Sequence, residues 1–239
     1  MNSSQALAQS VLGNLALYDC LKCLVDIYDD EGIPLVDKTT VLWDDFVMEY
    51  KVKYLGEREP RLTSLDGYIP GNHRIAFECK LTEKEVGTCS RPGKERTDPE
   101  YCNGTYSKQR LRNARCSLTE IGVLYWQYIP QLFKWRADMD LTPCPLNKTY
   151  QLVRNILAVN VQPDGHISQN SGHAVLIYDE RNPAFQNGGA GDIAYREVKA
   201  ALRDSTLLRK CSWQRITQQM RNRNLLPWLT EELARKYGL

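Results

Sequence analysis

The chain has 239 residues, 42% hydrophobic and 25% charged, an ordinary make-up for a globular protein with enough material for one core. A mean hydropathy of −0.48 and the lack of an apolar run of about 18 residues exclude a membrane-spanning helix, and 13 Tyr with 5 Trp argue against disorder. With 31 Lys+Arg against 29 Asp+Glu, a net charge of +2 excludes a strongly basic nucleic-acid coat and leaves local basic patches open.

Ser3-Ser4 followed by Ala6, Leu7, Val11, Leu12, Leu15 and Leu17 predicts a capped amphipathic helix running on through Cys20, Leu21, Leu24 and Val25. Nothing before Leu7 reads as an export signal, so the expected location is cytoplasmic. The eight cysteines are then expected as thiols or metal ligands before disulfides. Tyr28 to Pro34 is an acidic loop. Phe46 to Leu55 alternates as a strand, and Leu65 to Leu81 reads as a hairpin around Pro70-Gly71-Asn72-His73. Residues 84–116 are rich in Lys, Arg, Gly, Pro and Asn and hold little core material. Ile121 to Trp135 predicts an aromatic helix, Tyr150 to Val161 a second helix, and Ala174 to Tyr178 a buried strand. Tyr195 to Tyr237 reads as helical, broken at Pro227. The order suggests a mixed α/β layer fold, one domain over 1–239 with a cysteine-containing insertion over 84–147.

The hairpin carries the chemistry. Alternation puts Ile75, Phe77, Cys79 and Leu81 on one strand face and Ala76, Glu78 and Lys80 on the other. Folding about Asn72 sets Tyr68 opposite Ala76 and Asp66 opposite Glu78, provided the register does not slip. Two facing carboxylates repel and want a divalent cation such as Mg²⁺ or Mn²⁺. A lysine beside them can position water or balance charge growing on phosphorus. Spacing alone leaves an exposed cross-strand charge cluster as the rival reading.

Asp66, eleven intervening residues and then Glu78-Cys79-Lys80 resemble the signature of the PD-(D/E)XK nuclease superfamily, with Leu65 in place of its proline. Tyr150-Gln151-Leu152-Val153-Arg154-Asn155 resembles the helix that follows the hairpin in that superfamily. Ser3-Ser4-Gln5-Ala6-Leu7, the run Glu78 to Glu83, and Lys236-Tyr237-Gly238-Leu239 are similar to a bacterial family assigned as restriction endonucleases. The resemblance implies a restriction-endonuclease-like α/β core, a central mixed sheet flanked by helices. It also implies a Mg²⁺-dependent deoxyribonuclease acting in restriction or antiviral defence. Asp66 and Glu78 would hold the metal, helped by the Cys79 carbonyl, while Lys80 positions the water and Gln151 supports the site. The superfamily's acidic ligand on the first helix is missing, and Gln5, Glu57 or Glu49 would take its place.

Gln151, Arg154 and Asn155 share one helix face, and Arg154 could meet a DNA phosphate. An ordinary solvent face is the alternative. His73, His166 and His173 read as surface residues, and Asp179-Glu180-Arg181 as loop polarity. Cys20, Cys23, Cys79 and Cys211 read as packing. Cys89, Cys102, Cys116 and Cys144 fall where core material is scarce and are candidate ligands for Zn²⁺, ahead of an iron–sulfur cluster. Scattered thiols and two disulfides are the rivals. Arg91 and Lys94 belong to no clear motif, but Lys108, Arg110, Arg112 and Arg115, and a second group of Arg209, Lys210, Arg215, Arg221 and Arg223, could each track a phosphate backbone, with a solvated charged face as the alternative. The alternatives to a nuclease are an inactive nucleic-acid-binding module and a metal-stabilised protein-interaction domain. The expected partner is DNA, with no membrane contact, and a homodimer stays open.

Overall fold

The computed structural model describes residues 3–36, 43–60, 62–109, 112–168 and 171–239. The chain opens with α1 (Ser4–Ala8), a π turn (Gln9–Gly13) and α2 (Asn14–Leu17). Ser3 caps α1 by accepting the Ala6 N–H at 3.1 Å. The expected continuation through Val25 does not form. Asp19 turns left-handed at φ 54, a conformation short polar side chains tolerate. The chain then resumes as a 3-10 helix over Leu21–Asp26.

Five strands follow: β1 (Val47–Val52), β2 (Thr63–Ile69), β3 (Arg74–Cys79), β4 (Gly172–Tyr178) and β5 (Leu208–Ser212). Among the described residues they form one sheet in the order β1-β2-β3-β4-β5. The first three pair antiparallel, and β4 and β5 add parallel strands. The sheet is therefore mixed. The hairpin register is the expected one, with Tyr68 facing Ala76 and Gly67 facing Phe77.

Between β3 and β4 lie α3 (Ser117–Glu120), α4 (Tyr125–Leu132) and α5 (Leu146–Asn160). The aromatic helix is shorter than its pattern suggests. It starts after Gly122, whose φ of 94 separates it from α3, and Pro130 lies within its last turn. α6 (Ala190–Ala201) joins β4 to β5, and α7 (Trp213–Asn222) and α8 (Pro227–Tyr237) end the chain. The helical reading of 195–237 thus missed β5. Two of the strand's five residues are Arg209 and Lys210, and their charges hide its periodicity. Arg209 donates to the carbonyls of Pro34 and Leu35, and Lys210 to Asp192.

The sheet divides two apolar layers. Leu65, Tyr68, Ala76, Leu176 and Leu208 pack with α4, α5 and α6 on one side. Ile75, Phe77, Cys79, Val175 and Ile177 pack with the N-terminal helices, α7 and α8 on the other. Tyr125, Trp126, Tyr128 and Phe133 are core residues, and Trp135 packs partly buried against them. The expected surface position holds for His166 but not for His173, which is 1% exposed. His173 Nδ1 lies 2.8 Å from His73 Nε2, and its Nε2 lies 2.9 Å from the Leu35 carbonyl. No described helix is long and apolar enough to cross a membrane.

Candidate active site

The ladder between β2 and β3 stops at the pair Gly67–Phe77. One residue further along, the Asp66 carboxylate replaces the ladder and accepts the Cys79 N–H at 2.7 Å. Strand alternation turns Cys79 into the apolar layer and sends Glu78 and Lys80 toward α5. Lys80 Nζ lies 2.7 Å from Glu78 Oε1, with both side chains almost wholly buried. The Lys80 N–H donates to the Ile177 carbonyl, and its own carbonyl accepts the Trp213 indole N–H. The lysine is therefore anchored by its backbone on both sides.

α5 supplies the opposite wall. Its i, i+3, i+4 spacing points three side chains at the strand. Lys80 Nζ donates to Gln151 Oε1 at 2.8 Å, Asn155 Nδ2 donates to Glu78 Oε2 at 2.7 Å, and Arg154 Nη2 reaches within 3.9 Å of the same oxygen. Gly87 packs against this wall at φ +107, where a Cβ would fall 2.0 Å from Gln151 Oε1. No other residue fits there without moving the glutamine.

A further acid joins from β1. Glu49 sits between the pairs Met48–Gly67 and Tyr50–Leu65, which places it across from Asp66. Its φ of 53 is a strained backbone for a residue with a side chain. Gln5 Nε2 donates to Glu49 Oε1 at 3.0 Å and Ser64 Oγ to Glu49 Oε2 at 2.9 Å. Of the three stand-ins for the missing first-helix acid, Gln5 and Glu49 thus meet one another. Glu57 is engaged elsewhere, accepting from Thr63 and from the Tyr125 hydroxyl. It lines a cavity of about 640 Å³ together with Arg58, Arg91, Tyr150 and Arg154.

The electrostatics single out Asp66. Burial, then the charge of Glu78, pushes its carboxyl up to about 7, with Glu49 adding to the rise against the pull of the Cys79 N–H and Lys80. Lys80 sits above its ordinary range. Burial alone would lower it, but Glu78, Asp66 and Glu83 outweigh that effect. It is charged at neutral pH and suits holding a water or an anion better than removing a proton. Glu83 is held below the usual carboxylate range, where hydrogen bonds from Ser4 and the Leu81 N–H overcome burial.

Hard oxygen donors crowded this way fit a divalent cation such as Mg²⁺. Asp66, Glu78 and the Cys79 carbonyl are the groups that could hold it. Among the described residues no three acid, thiol or imidazole side chains already stand in a ligating arrangement.

Sequence reading did not give Asn155 or Glu83 a role. Asn155 was visible only as a neighbour of Gln151 on one helix face, and Glu83 as the end of the Glu78 to Glu83 run. The second basic group is consumed internally: Arg215 pairs with Asp30 at 3.1 Å, Lys210 with Asp192 at 3.2 Å, and Arg223 with Asp26. In the first group Arg115 pairs with Asp140, Arg112 donates to Gln109, and Arg110 lies outside the described residues, while Arg91 and Lys94 pair with Glu100 and Asp98.

The family described as "Restriction Endonuclease associating with ARP" matches residues 1–238. The chain belongs to this family. The match runs through every element that builds the site, from Gln5 to Asn155. No curated protein and no solved structure matches the chain significantly. A nuclease-type role follows for this member of the restriction endonuclease family at the level of its family description.

Proposed function

We propose that this chain is a Mg²⁺-dependent deoxyribonuclease of the PD-(D/E)XK type, built on a restriction-endonuclease-like core and acting as a restriction or phage-defence endonuclease. The observation that carries the reading is the crowded pair Asp66 and Glu78 at the end of the β2–β3 ladder, with charged Lys80 beside them. Bound there, the divalent cation would polarise the scissile phosphate and lower the pKa of water. Asp66 and Glu78 supply the negative charge that selects a cation. Asn155 fixes the Glu78 carboxylate, and Gln151 fixes the Lys80 ammonium. Lys80 holds the attacking water and offsets charge growing on the phosphate oxygens. Arg154, tied by its Nη2 to the Ser64 carbonyl at 3.1 Å, offers a partner for a neighbouring DNA phosphate.

The test is incubation of supercoiled plasmid, linear duplex and single-stranded DNA with Mg²⁺ or Mn²⁺, with EDTA and Glu78→Ala as controls. Cleavage that needs both the metal and Glu78 supports the reading. Equal cleavage by Glu78→Ala, or none by wild type on any of the three substrates, overturns it.

A further inference from the structure

Beyond the nuclease reading, the long connection from β3 to α5 poses a problem of its own. Among the described residues from Leu81 to Cys116 the one helical turn is the 3-10 turn Arg91–Gly93, and no strand forms there. Yet Cys89, Cys102, Cys116 and Cys144 converge on one small cavity, which Arg91, Gly104 and Leu146 also line. Its volume of about 10 Å³ is that of roughly one water-sized atom. All four are free thiols, Cys102 and Cys116 buried and Cys89 and Cys144 half-buried.

Most groups around the sulfurs are donors, although the Cys102 thiol itself donates to the Thr105 carbonyl at 3.7 Å. The Arg91 N–H is directed at Cys89, the Leu118 and Thr119 N–H groups at Cys116, and the Leu146 N–H at Cys144. Gln109 Nε2 lies 3.9 Å from Cys102 Sγ, and the buried Trp126 indole N–H makes no hydrogen bond among the described residues, which leaves it free for a sulfur of the cluster. At three of the four cysteines the donor includes the backbone N–H two residues on, so each local turn wraps its own amide around the sulfur. A thiol is a weak acceptor and a thiolate a strong one. At Cys89, Cys116 and Cys144 the shell is arranged for thiolates, and at Cys102 the thiol must turn away from the Thr105 carbonyl to ligate. Four thiolates around so small a cavity would repel one another, so they can form together only with a cation between them. Zn²⁺ is the divalent ion that takes four thiolates in a closed tetrahedron.

We propose that Cys89, Cys102, Cys116 and Cys144 bind one Zn²⁺ as a structural tetrathiolate site. The four thiol protons leave to solvent as the ion enters. The sulfurs do not stand at ligating spacing as they are, so binding draws them together by side-chain rotation. The knot would clamp the start of α5. The Cys89 N–H already donates to the Asn147 carbonyl at 3.0 Å, and the Cys144 N–H to the Gly104 carbonyl at 2.8 Å. Cys89 lies two residues beyond Gly87, which packs on Gln151.

The decisive experiment is elemental analysis of the full chain purified without chelator, which should find about one zinc per chain. A mercurial that titrates thiols should release that zinc. The metal-stripped chain should then take up Co²⁺ with the intense visible bands of a tetrahedral tetrathiolate. The double variant Cys102→Ser/Cys144→Ser should lose the stoichiometric metal. If that variant fails to fold, zinc release and the Co²⁺ spectrum of wild type still decide. Finding no zinc together with no tetrathiolate spectrum overturns the proposal. So do disulfides among the four in peptide mapping, iron with sulfide in place of zinc, or full zinc retention by a folded double variant. None of these readouts depends on DNA cleavage, so the nuclease reading can fail without touching this one.

Discussion

Asp179, buried, and Asp66, half-buried, sit at the same end of the sheet and live under opposite electrostatics. Asp179 follows β4 and is 5% exposed. Its carboxylate accepts from Arg181 Nε at 2.9 Å, Arg181 Nη2 at 2.6 Å and Gln214 Nε2 at 2.7 Å. These partners overcome burial and hold it below the ordinary range. Asp66, two strands away, has the Cys79 N–H as its close donor and faces Glu78 and Glu49, so its carboxyl rises to about 7. Removal from water alone does not separate a structural acid from a candidate functional one. What separates them is whether the fold supplies the counter-charge or leaves it to be brought in.

The largest expected contrast is in turnover. Glu78→Ala or Lys80→Ala should lower DNA cleavage by about 10²–10³-fold, the usual cost of removing a group that stabilises developing charge. Asp179→Asn, measured at a temperature where it stays folded, should remain within about threefold of wild type, since single structural changes away from the site act through stability. Comparable losses in both would erase the distinction.

Next comes pH. Asp66 must shed its proton to hold a cation, and it holds that proton up to about 7. At subsaturating Mg²⁺ the cleavage rate should therefore fall by up to about tenfold per pH unit on acidification below that point. A rate that stays flat from pH 8 to pH 5.5 would remove Asp66 from the metal site.

Stability should divide the two acids by sign. Asp179→Ala should cost about 2 kcal/mol in a denaturant titration at pH 7, the scale of charge-assisted hydrogen bonds lost from a buried group. Its depressed folded pKa means this contribution is present above the unfolded aspartate range and fades as pH falls through the folded value. Asp66→Asn should instead stabilise the protein by about 1 kcal/mol in EDTA, because asparagine keeps an acceptor for the Cys79 N–H and removes a like charge. Here the folded pKa is raised. The wild-type penalty therefore grows as pH climbs from about 4 through 7, and the advantage of the variant should vanish below about pH 4. With Mg²⁺ the order should reverse. A variant that melts lower than wild type under both conditions would mean that Asp66 has a structural partner.

The hairpin was legible because its turn residues and its alternation are local. Pro70-Gly71-Asn72-His73 set the bend, and Glu78 and Lys80 followed onto one face. The α5 contacts were legible as helical spacing, although Arg154 and Asn155 could equally have faced solvent. The approach of Glu49 to the Gln5 side chain rests on a left-handed residue within β1, and no periodicity encodes that. β5 was hidden because Arg209 and Lys210 are satisfied by groups far away in sequence, Pro34 and Asp192. The break at Asp19 was hidden because no glycine or proline marks it. The thiols gathered near α5 come from irregular loops, where spacing carries no register at all.

The histidine pair under the hairpin turn has a consequence for where protons sit. The Leu35 carbonyl can only accept, so the hydrogen on the His173 ring belongs on Nε2, and Nδ1 is left bare. His73 must then present Nε2–H to that bare nitrogen. One carbonyl thereby dictates the tautomers of two imidazoles in series. Burial, with Arg209 and His73 nearby, holds His173 well below the ordinary histidine range. A second proton on it would turn its Nδ1 into a donor and oblige His73 to move its hydrogen to Nδ1, so the two rings can change protonation only in concert.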